Sequence, residues 1–231
     1  MNTIKHVFFD LDNTLWDFRK NAKFALAELY IKYDVETKHG FSFDEFHPYY
    51  HQSNEGLWAQ IRDKEITKEE LRARRFKQAF DNLGIDDDEL AAIFEEEYME
   101  TITNYNEVVD GAMELLDYLK PKYSLHIITN GFIEVSKRKI ESSILNGYFQ
   151  TVTYADELKI LKPDPRIFSH AIGKSEAKKE ESIYIGDDWI ADVVGSKKFG
   201  MSSIFFDRLN DNFFMDDVPT ITHLDEVKNY L

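Results

Sequence analysis

The sequence predicts an α/β protein: a doubly wound, Rossmann-like parallel sheet core with an inserted all-helical cap domain. Three observations predict it. Val7-Phe8-Phe9 is an apolar run that drives straight into Asp10-Leu11-Asp12-Asn13-Thr14-Leu15, and such a run reads as a strand covered on both faces. Residues 16–105 carry helical periodicity and no convincing strand. From residue 106 onward, short apolar runs alternate with helical patterns, the wiring of a parallel sheet. The core is therefore placed at 1–15 plus 106–231 and the helical cap, inserted after the first strand, at 16–105.

Taken in order, Phe18, Ala22, Ala25, Leu26, Leu29 and Tyr33 recur at three- and four-residue steps and predict the first helix. A polar, aromatic stretch follows over 37–50. Residues 51–58 read as helix with a break near Gly56. Thr67 and Glu70 form a capping-box pattern that opens a helix through Leu71, Phe76, Ala79, Phe80 and Leu83, with Gly84 as its stop. Asp86-Asp87-Asp88-Glu89 puts negative charge at the start of the next helix, matching its dipole. Asp110 is the expected cap of a helix over 111–119. Strands are expected at 124–129, 151–154, 182–185 and 203–206. Helices are expected at roughly 133–145, from Pro163-Asp164-Pro165 onward, and at 190–199.

Composition narrows the function classes. With no Cys among 231 residues there is no disulfide framework, thiolate nucleophile or cysteine-held zinc. A net charge of −15 repels nucleic acid polymers and anionic membranes, so an anionic substrate needs a local metal or local basic residues. No apolar run approaches the ~20 residues of a membrane span. Met1-Asn2-Thr3-Ile4-Lys5-His6 leads directly into the first strand, so no signal peptide is expected. The absence of Cys fits the cytoplasm, which is the expected location, and a monomer or homodimer is the expected state.

The chemistry gathers at predicted strand ends. Asp10 and Asp12 close one strand, Thr129-Asn130-Gly131 another, and Asp187-Asp188 a third, with Asp192 one turn on and Lys162 before a helix. Open α/β sheets bind ligands at the carboxyl ends of their strands. Each group alone has a plain reading: a turn at Asn130-Gly131, a surface Lys162, a helix start at Asp187-Asp188. Together they are acids, a lysine, a hydroxyl and exposed N–H groups, an inventory suited to phosphoryl transfer around magnesium.

The four segments resemble, in order, the four motifs of the haloacid dehalogenase-like hydrolase superfamily. They are Asp10-Leu11-Asp12-Asn13-Thr14, Ile127-Ile128-Thr129-Asn130-Gly131, Lys162-Pro163-Asp164, and Gly186-Asp187-Asp188 through Asp192. The helical insertion lies where that superfamily has its C1 cap. Asn54-Glu55-Gly56-Leu57-Trp58, Ile66-Thr67 and Ile128-Thr129-Asn130-Gly131-Phe132 are similar to the bacterial pyrimidine 5′-nucleotidase branch. The resemblance implies that Asp10 is the nucleophile of an aspartyl-phosphate intermediate and Asp12 the general acid and base. It implies that Thr129, Asn130 and Gly131 bind phosphoryl oxygens and that Lys162 neutralises charge and orients Asp10. Asp10, Asp12 (through its carbonyl) and Asp187 are the implied magnesium ligands, supported by Asp188 or Asp192. The implied substrate is a phosphate monoester, a nucleoside 5′-monophosphate. For these roles Asp10 needs a low pKa and Asp12 a raised one.

Asn54, Leu57 and Trp58 are the expected cap residues for specificity. Arg62, Arg72 and Arg75 read as a solvated helix face that could instead reach a substrate, and Trp58, Phe76 and Tyr98 as core aromatics that could instead meet a base. Lys159 stands where relatives of the superfamily carry Gly, which puts the loop before Lys162 in question. Sugar-phosphate phosphatases and phosphomutases on the same fold remain alternatives. A phospho-accepting signalling module is the alternative of another class.

Overall fold

The computed structural model describes residues 3–231. Met1 and Asn2, the first two of the six residues on which the signal-peptide expectation rests, lie outside them. The chain divides into two compact units, Met1–Phe18 with Asn106–Leu231, and Arg19–Tyr105.

In the α/β unit, β1 (His6–Phe9), β2 (Ser124–Thr129), β3 (Thr151–Tyr154), β4 (Ser182–Gly186), β5 (Ser202–Phe206) and β6 (Thr220–Ile221) form one sheet, ordered β3-β2-β1-β4-β5-β6. Every pair is parallel. Val7, Phe8 and Phe9 are wholly buried, as the apolar run predicts. Each such side chain contributes roughly 1.5–3 kcal/mol of burial free energy. Strand order reverses beside β1: the chain winds to β2 and β3 on one side, then crosses to β4 on the other. The crevice of a doubly wound sheet opens at such a point, here at the ends of β1 and β4. Trp16 bridges to Asp12 and to Val108, tying the exit from β1 to this unit.

The other unit is built on α1 (Phe18–Lys32), which begins in the α/β unit, α2 (Val35–His39), α3 (Phe43–Arg62), α4 (Lys68–Leu83) and α5 (Asp88–Thr101). The Thr67/Glu70 capping box and the Gly84 stop are present, Gly84 with φ +95°. The expected break at Gly56 is not. Helix α3 starts at Ser42, whose side chain and Glu45 form a second capping box, and it runs through Pro48 and Gly56. Phe46, Tyr50, Ser53, Asn54, Leu57 and Ile61 lie on its buried face at helical spacing. That packing outweighs the ~1 kcal/mol cost of an interior glycine.

The α/β unit also holds α6 (Ala112–Leu119), α7 (Ile133–Glu141), α8 (Ala155–Leu158), α9 (Pro165–Lys174) and α10 (Gly195–Phe199). Two expectations need correction there. Asp110 does not cap α6, because Gly111 with φ +82° takes the cap position and no side chain bonds the first turn. Helix α7 ends at Glu141 rather than near 145. The helix expected over 190–199 is present, its first part a π-helical turn over Trp189–Val194 that runs directly into α10. Among the described residues no helix is long and apolar enough to cross a membrane.

Candidate active site

Asp10 is placed by the sheet itself. Its N–H donates to the Ile185 carbonyl at 3.0 Å, so its backbone still belongs to the β1–β4 ladder. Its side chain meets Lys162, whose Nζ lies 2.5 Å from Asp10 Oδ1. The chain then turns through Asn13 with φ +63°, a conformation asparagine tolerates better than most residues. The turn brings Thr14 Oγ1 to donate to Asp187 Oδ1 at 2.8 Å. Thus β1 and β4 present their acids side by side.

Lys162 is held from both ends. Its backbone N–H donates to Asn130 Oδ1 at 2.8 Å, and Asn130 Nδ2 donates back to the Lys162 carbonyl at 3.0 Å. Its ammonium donates to Asp10, to Asp192 Oδ1 at 2.7 Å and to the Tyr184 hydroxyl at 2.9 Å. The preceding loop needs a left-handed residue, and Lys159 adopts φ +52° there. That conformation accounts for the glycine expected at this position.

The acids after β4 divide their work. Asp188 Oδ1 accepts from the N–H groups of Ile190 and Ala191, both at 2.8 Å, and so caps the π-turn. Asp192 returns to the strand end, where its Oδ2 accepts from the Asp188 N–H at 3.0 Å. This approach requires Gly186, since a Cβ there would lie 2.3 Å from Asp192 Oδ2. Carboxylate oxygens of Asp10, Asp187 and Asp192 lie within 4.8 Å of one another.

Burial dominates the electrostatics. It pushes the Asp10 carboxyl up to about 7, against the pull of Lys162 and helped by Asp192. Burial, then Asp10 and Asp192, push Asp187 well above the usual carboxylate range, and burial also raises Asp192. Burial works against the charge on Lys162, but Asp10 and Asp192 outweigh it and raise that pKa. Lys162 alone therefore does not hold Asp10 down. Asp10 and Asp192 are buried and share one ammonium, and the half-buried Asp187 stands beside them; oxygen donors with no imidazole or thiolate in the cluster are a donor set that fits a hard divalent cation.

The second strand end lies against Asp12. Gly131 N–H donates to Thr129 Oγ1 at 3.0 Å, and a Cβ on Gly131 would lie 3.3 Å from Asp12 Oδ2 and 3.2 Å from Thr129 Oγ1. Asp12 Oδ1 accepts from Lys139 Nζ at 2.5 Å. Asp10, Asp12, Thr129, Asn130, Gly131, Lys162, Asp187 and Asp192 thus gather at the strand ends.

Sequence reasoning did not assign Thr14, Tyr184 or Lys139. Thr14 stood inside the first motif, and its hydroxyl spacing could have been read. Tyr184 looked like strand filling, and Lys139 carried no signal beyond a basic residue on a helix.

Asn54, Leu57 and Trp58 lie on α3 in the helical unit. Leu57 is buried. Asn54 Oδ1 accepts from Arg75 Nη1 at 3.3 Å, and Lys68 lies over the Trp58 ring. Arg75 is a correction: it is buried, not on a solvated face, and pairs with Glu95 through Nη2 at 2.8 Å and Nε at 3.1 Å. Phe76 and Tyr98 are core.

A parallel sheet with its acids, hydroxyl and lysine at a switch point defines an α/β enzyme suited to phosphoryl chemistry. The sequence matches the haloacid dehalogenase-like hydrolase family over residues 4–200, and the chain belongs to that family. It is a phosphatase of that family. It is 31% identical over 205 residues to pyrimidine 5′-nucleotidase PynA of Streptococcus pneumoniae, covering 87% of this chain and 83% of that one. It is 34% identical over 209 residues to a glyceraldehyde 3-phosphate phosphatase of Pyrococcus furiosus, covering 89% and 82%. The fold is similar to that of the putative HAD-hydrolase YfnB of Bacillus subtilis, solved bound to magnesium. That similarity has a TM-score of 0.87 at 23% identity, over 100% of this chain and 99% of the other.

Proposed function

We propose that the protein is a magnesium-dependent phosphomonoester hydrolase that works through an aspartyl-phosphate and acts on nucleoside 5′-monophosphates. The observation that carries this reading is the Lys162–Asp10 contact at 2.5 Å, beside the Asp187 and Asp192 carboxylates, at the sheet's switch point.

In the first step an Asp10 oxygen forms a bond to phosphorus while the ester P–O bond breaks. The leaving oxygen takes that electron pair and a proton from Asp12. In the second step a water oxygen attacks phosphorus, Asp12 takes the water's proton, and the Asp10–phosphorus bond breaks to release phosphate. Thr129, Asn130 and Gly131 hold phosphoryl oxygens. Lys162 neutralises them and keeps Asp10 aimed, and Asp192 and Tyr184 keep Lys162 aimed. Asp10 and Asp187 with the Asp12 carbonyl would hold a magnesium ion, which when bound supplies positive charge to Asp10 and to the phosphoryl oxygens. Fixed charge and positioning carry most of the acceleration in such reactions.

The similarity to pyrimidine 5′-nucleotidase PynA and the Asn54-Glu55-Gly56-Leu57-Trp58 segment support a nucleotide substrate. The similarity to a glyceraldehyde 3-phosphate phosphatase favours a second reading, a small sugar phosphate. The test is release of inorganic phosphate from nucleoside monophosphates and sugar phosphates side by side, with magnesium and with a chelator. Preference for nucleotides is expected. Preference for sugar phosphates removes the nucleotidase reading alone, and activity undiminished by chelator removes the metal.

A further inference from the structure

Lys139 is buried, and it is the one lysine on the inward face of α7. Val135, Ser136 and Ile140 share that face, whereas Lys137 and Arg138 do not. A buried ammonium is costly unless it is paired. Lys139 is paired with a carboxylate and with two aromatic rings. Its Nζ lies 2.5 Å from Asp12 Oδ1, and it stands 4.2 Å from the centroid of the Trp16 ring and 5.2 Å from that of Phe18. Faces of aromatic rings attract cations, more strongly where water is excluded. The rings and the Asp12 carboxylate therefore fix the ammonium together.

The two oxygens of Asp12 consequently differ. Oδ1 is held by Lys139, and Oδ2 lies on the side of Gly131 and Thr129. We propose that Lys139 is a positioning residue for Asp12: it holds Oδ1 so that Oδ2 is the oxygen that passes the proton to the leaving group. This rests on the hydrolase mechanism above. As the ester P–O bond breaks, the proton on Oδ2 goes to the leaving oxygen. Asp12 becomes a carboxylate and gains full ion pairing with Lys139. In the second step the water's proton returns to Oδ2. A lysine that merely supports the fold would not distinguish substrates by leaving group.

The test is kcat/KM, which reports the first step, for 4-nitrophenyl phosphate, phenyl phosphate and a nucleoside 5′-monophosphate. The 4-nitrophenolate departs with little help from an acid, whereas an alkoxide needs a full proton. Relative to wild type, Lys139→Met is expected to lose on the order of 10²-fold or more on the nucleotide, the usual worth of a general acid. Its loss is expected to be intermediate on phenyl phosphate and smallest on 4-nitrophenyl phosphate. Lys139→Arg, which keeps the charge, is expected to recover most of the loss on the nucleotide. An equal loss on all three substrates, or none, overturns the proposal. If Lys139→Met does not fold, Lys139→Gln and Lys139→Arg are read by the same criterion. A wild-type enzyme active on all three with a uniform loss in the variants removes only the role of Lys139. A wild-type enzyme inactive on every phosphate monoester removes the mechanism and this role with it.

Discussion

The Lys162 ammonium lies 2.5 Å from the Asp10 carboxylate, and the two side chains are buried together at the end of the central strand. The contact spans 152 positions of sequence. It joins the first strand to the loop before α9, and it is fixed by the reciprocal Asn130 amide bonds to the Lys162 backbone. Asp192 shares the same ammonium at 2.7 Å. One cation therefore serves two buried acids.

Removing that cation strands both acids. Lys162→Met is expected to abolish turnover and to destabilise the fold by about 3–5 kcal/mol, the usual cost of leaving a buried charge unpaired. Urea denaturation in a chelator reads the stability change. Adding Asp10→Asn to Lys162→Met is expected to restore part of the stability, because one orphaned charge is gone. A double variant no more stable than the single one would show that the contact carries little free energy.

The raised Asp10 pKa has a definite sign. Its folded value, about 7, lies above the ordinary value of 3.8, so between them the folded chain holds a proton that the unfolded chain has lost. The resulting stabilisation is present at low pH and is lost as pH rises through about 7. Without magnesium, the stability of wild type relative to Asp10→Asn should fall between pH 4.5 and 7.5, as read by urea denaturation. Magnesium at pH 7.5 should raise the Tm of wild type more than that of Asp10→Asn.

The core of the site was legible because each acid follows an apolar run, and strand ends in a wound sheet converge. The division of labour after β4 was not legible. Asp187, Asp188 and Asp192 look alike in sequence, and only the π-turn directs Asp188 to backbone N–H groups and Asp192 back to Lys162. Lys139 was hidden for a similar reason, since a lysine's burial depends on tertiary partners 127 positions away. In the helical unit, the local glycine signal at Gly56 was overridden by a continuous buried face. The Ser42/Glu45 box that starts α3 was present in the sequence and went unread. The two-residue strand β6 is too short to carry a pattern.

Gly186 and Gly56 make opposite predictions for the same substitution. At Gly186 a new Cβ would lie 2.3 Å from Asp192 Oδ2, and β4 is buried along its whole length. Gly186→Ala is expected to cost about 1–3 kcal/mol through overpacking. It should also lower kcat by displacing Asp192 from Lys162. At Gly56, on the exposed side of α3, a Cβ meets nothing within 4 Å. Gly56→Ala is expected to stabilise by about 0.5–1 kcal/mol. Thermal unfolding of the two variants checks both signs, and a stabilised Gly186→Ala would contradict the packing described for Asp192.

A second titrating group works against Asp10 over the same pH range. His126 on β2 is fully buried, stacked on Phe8, with Nδ1 2.9 Å from Thr151 Oγ1 and Nε2 3.1 Å from His6 Nδ1. Burial, and then the charge of His6, bring its pKa down to about 4. Between that value and the ordinary 6.5 the unfolded chain binds a proton that the folded chain refuses. The stabilisation present above pH 6.5 is therefore lost as pH falls towards 4. At about 1.4 kcal/mol per pKa unit, wild type should lose roughly 2–3 kcal/mol relative to His126→Gln between pH 7 and 4.5. Acidification thus strengthens the fold through Asp10 and weakens it through His126, and the two contributions partly cancel in wild type. Comparing wild type, Asp10→Asn and His126→Gln by urea denaturation at both pH values separates them. Asp10→Asn should be the most acid-sensitive of the three and His126→Gln the least. The reverse order would mean that the His6–His126 pair takes up its proton without opening the sheet.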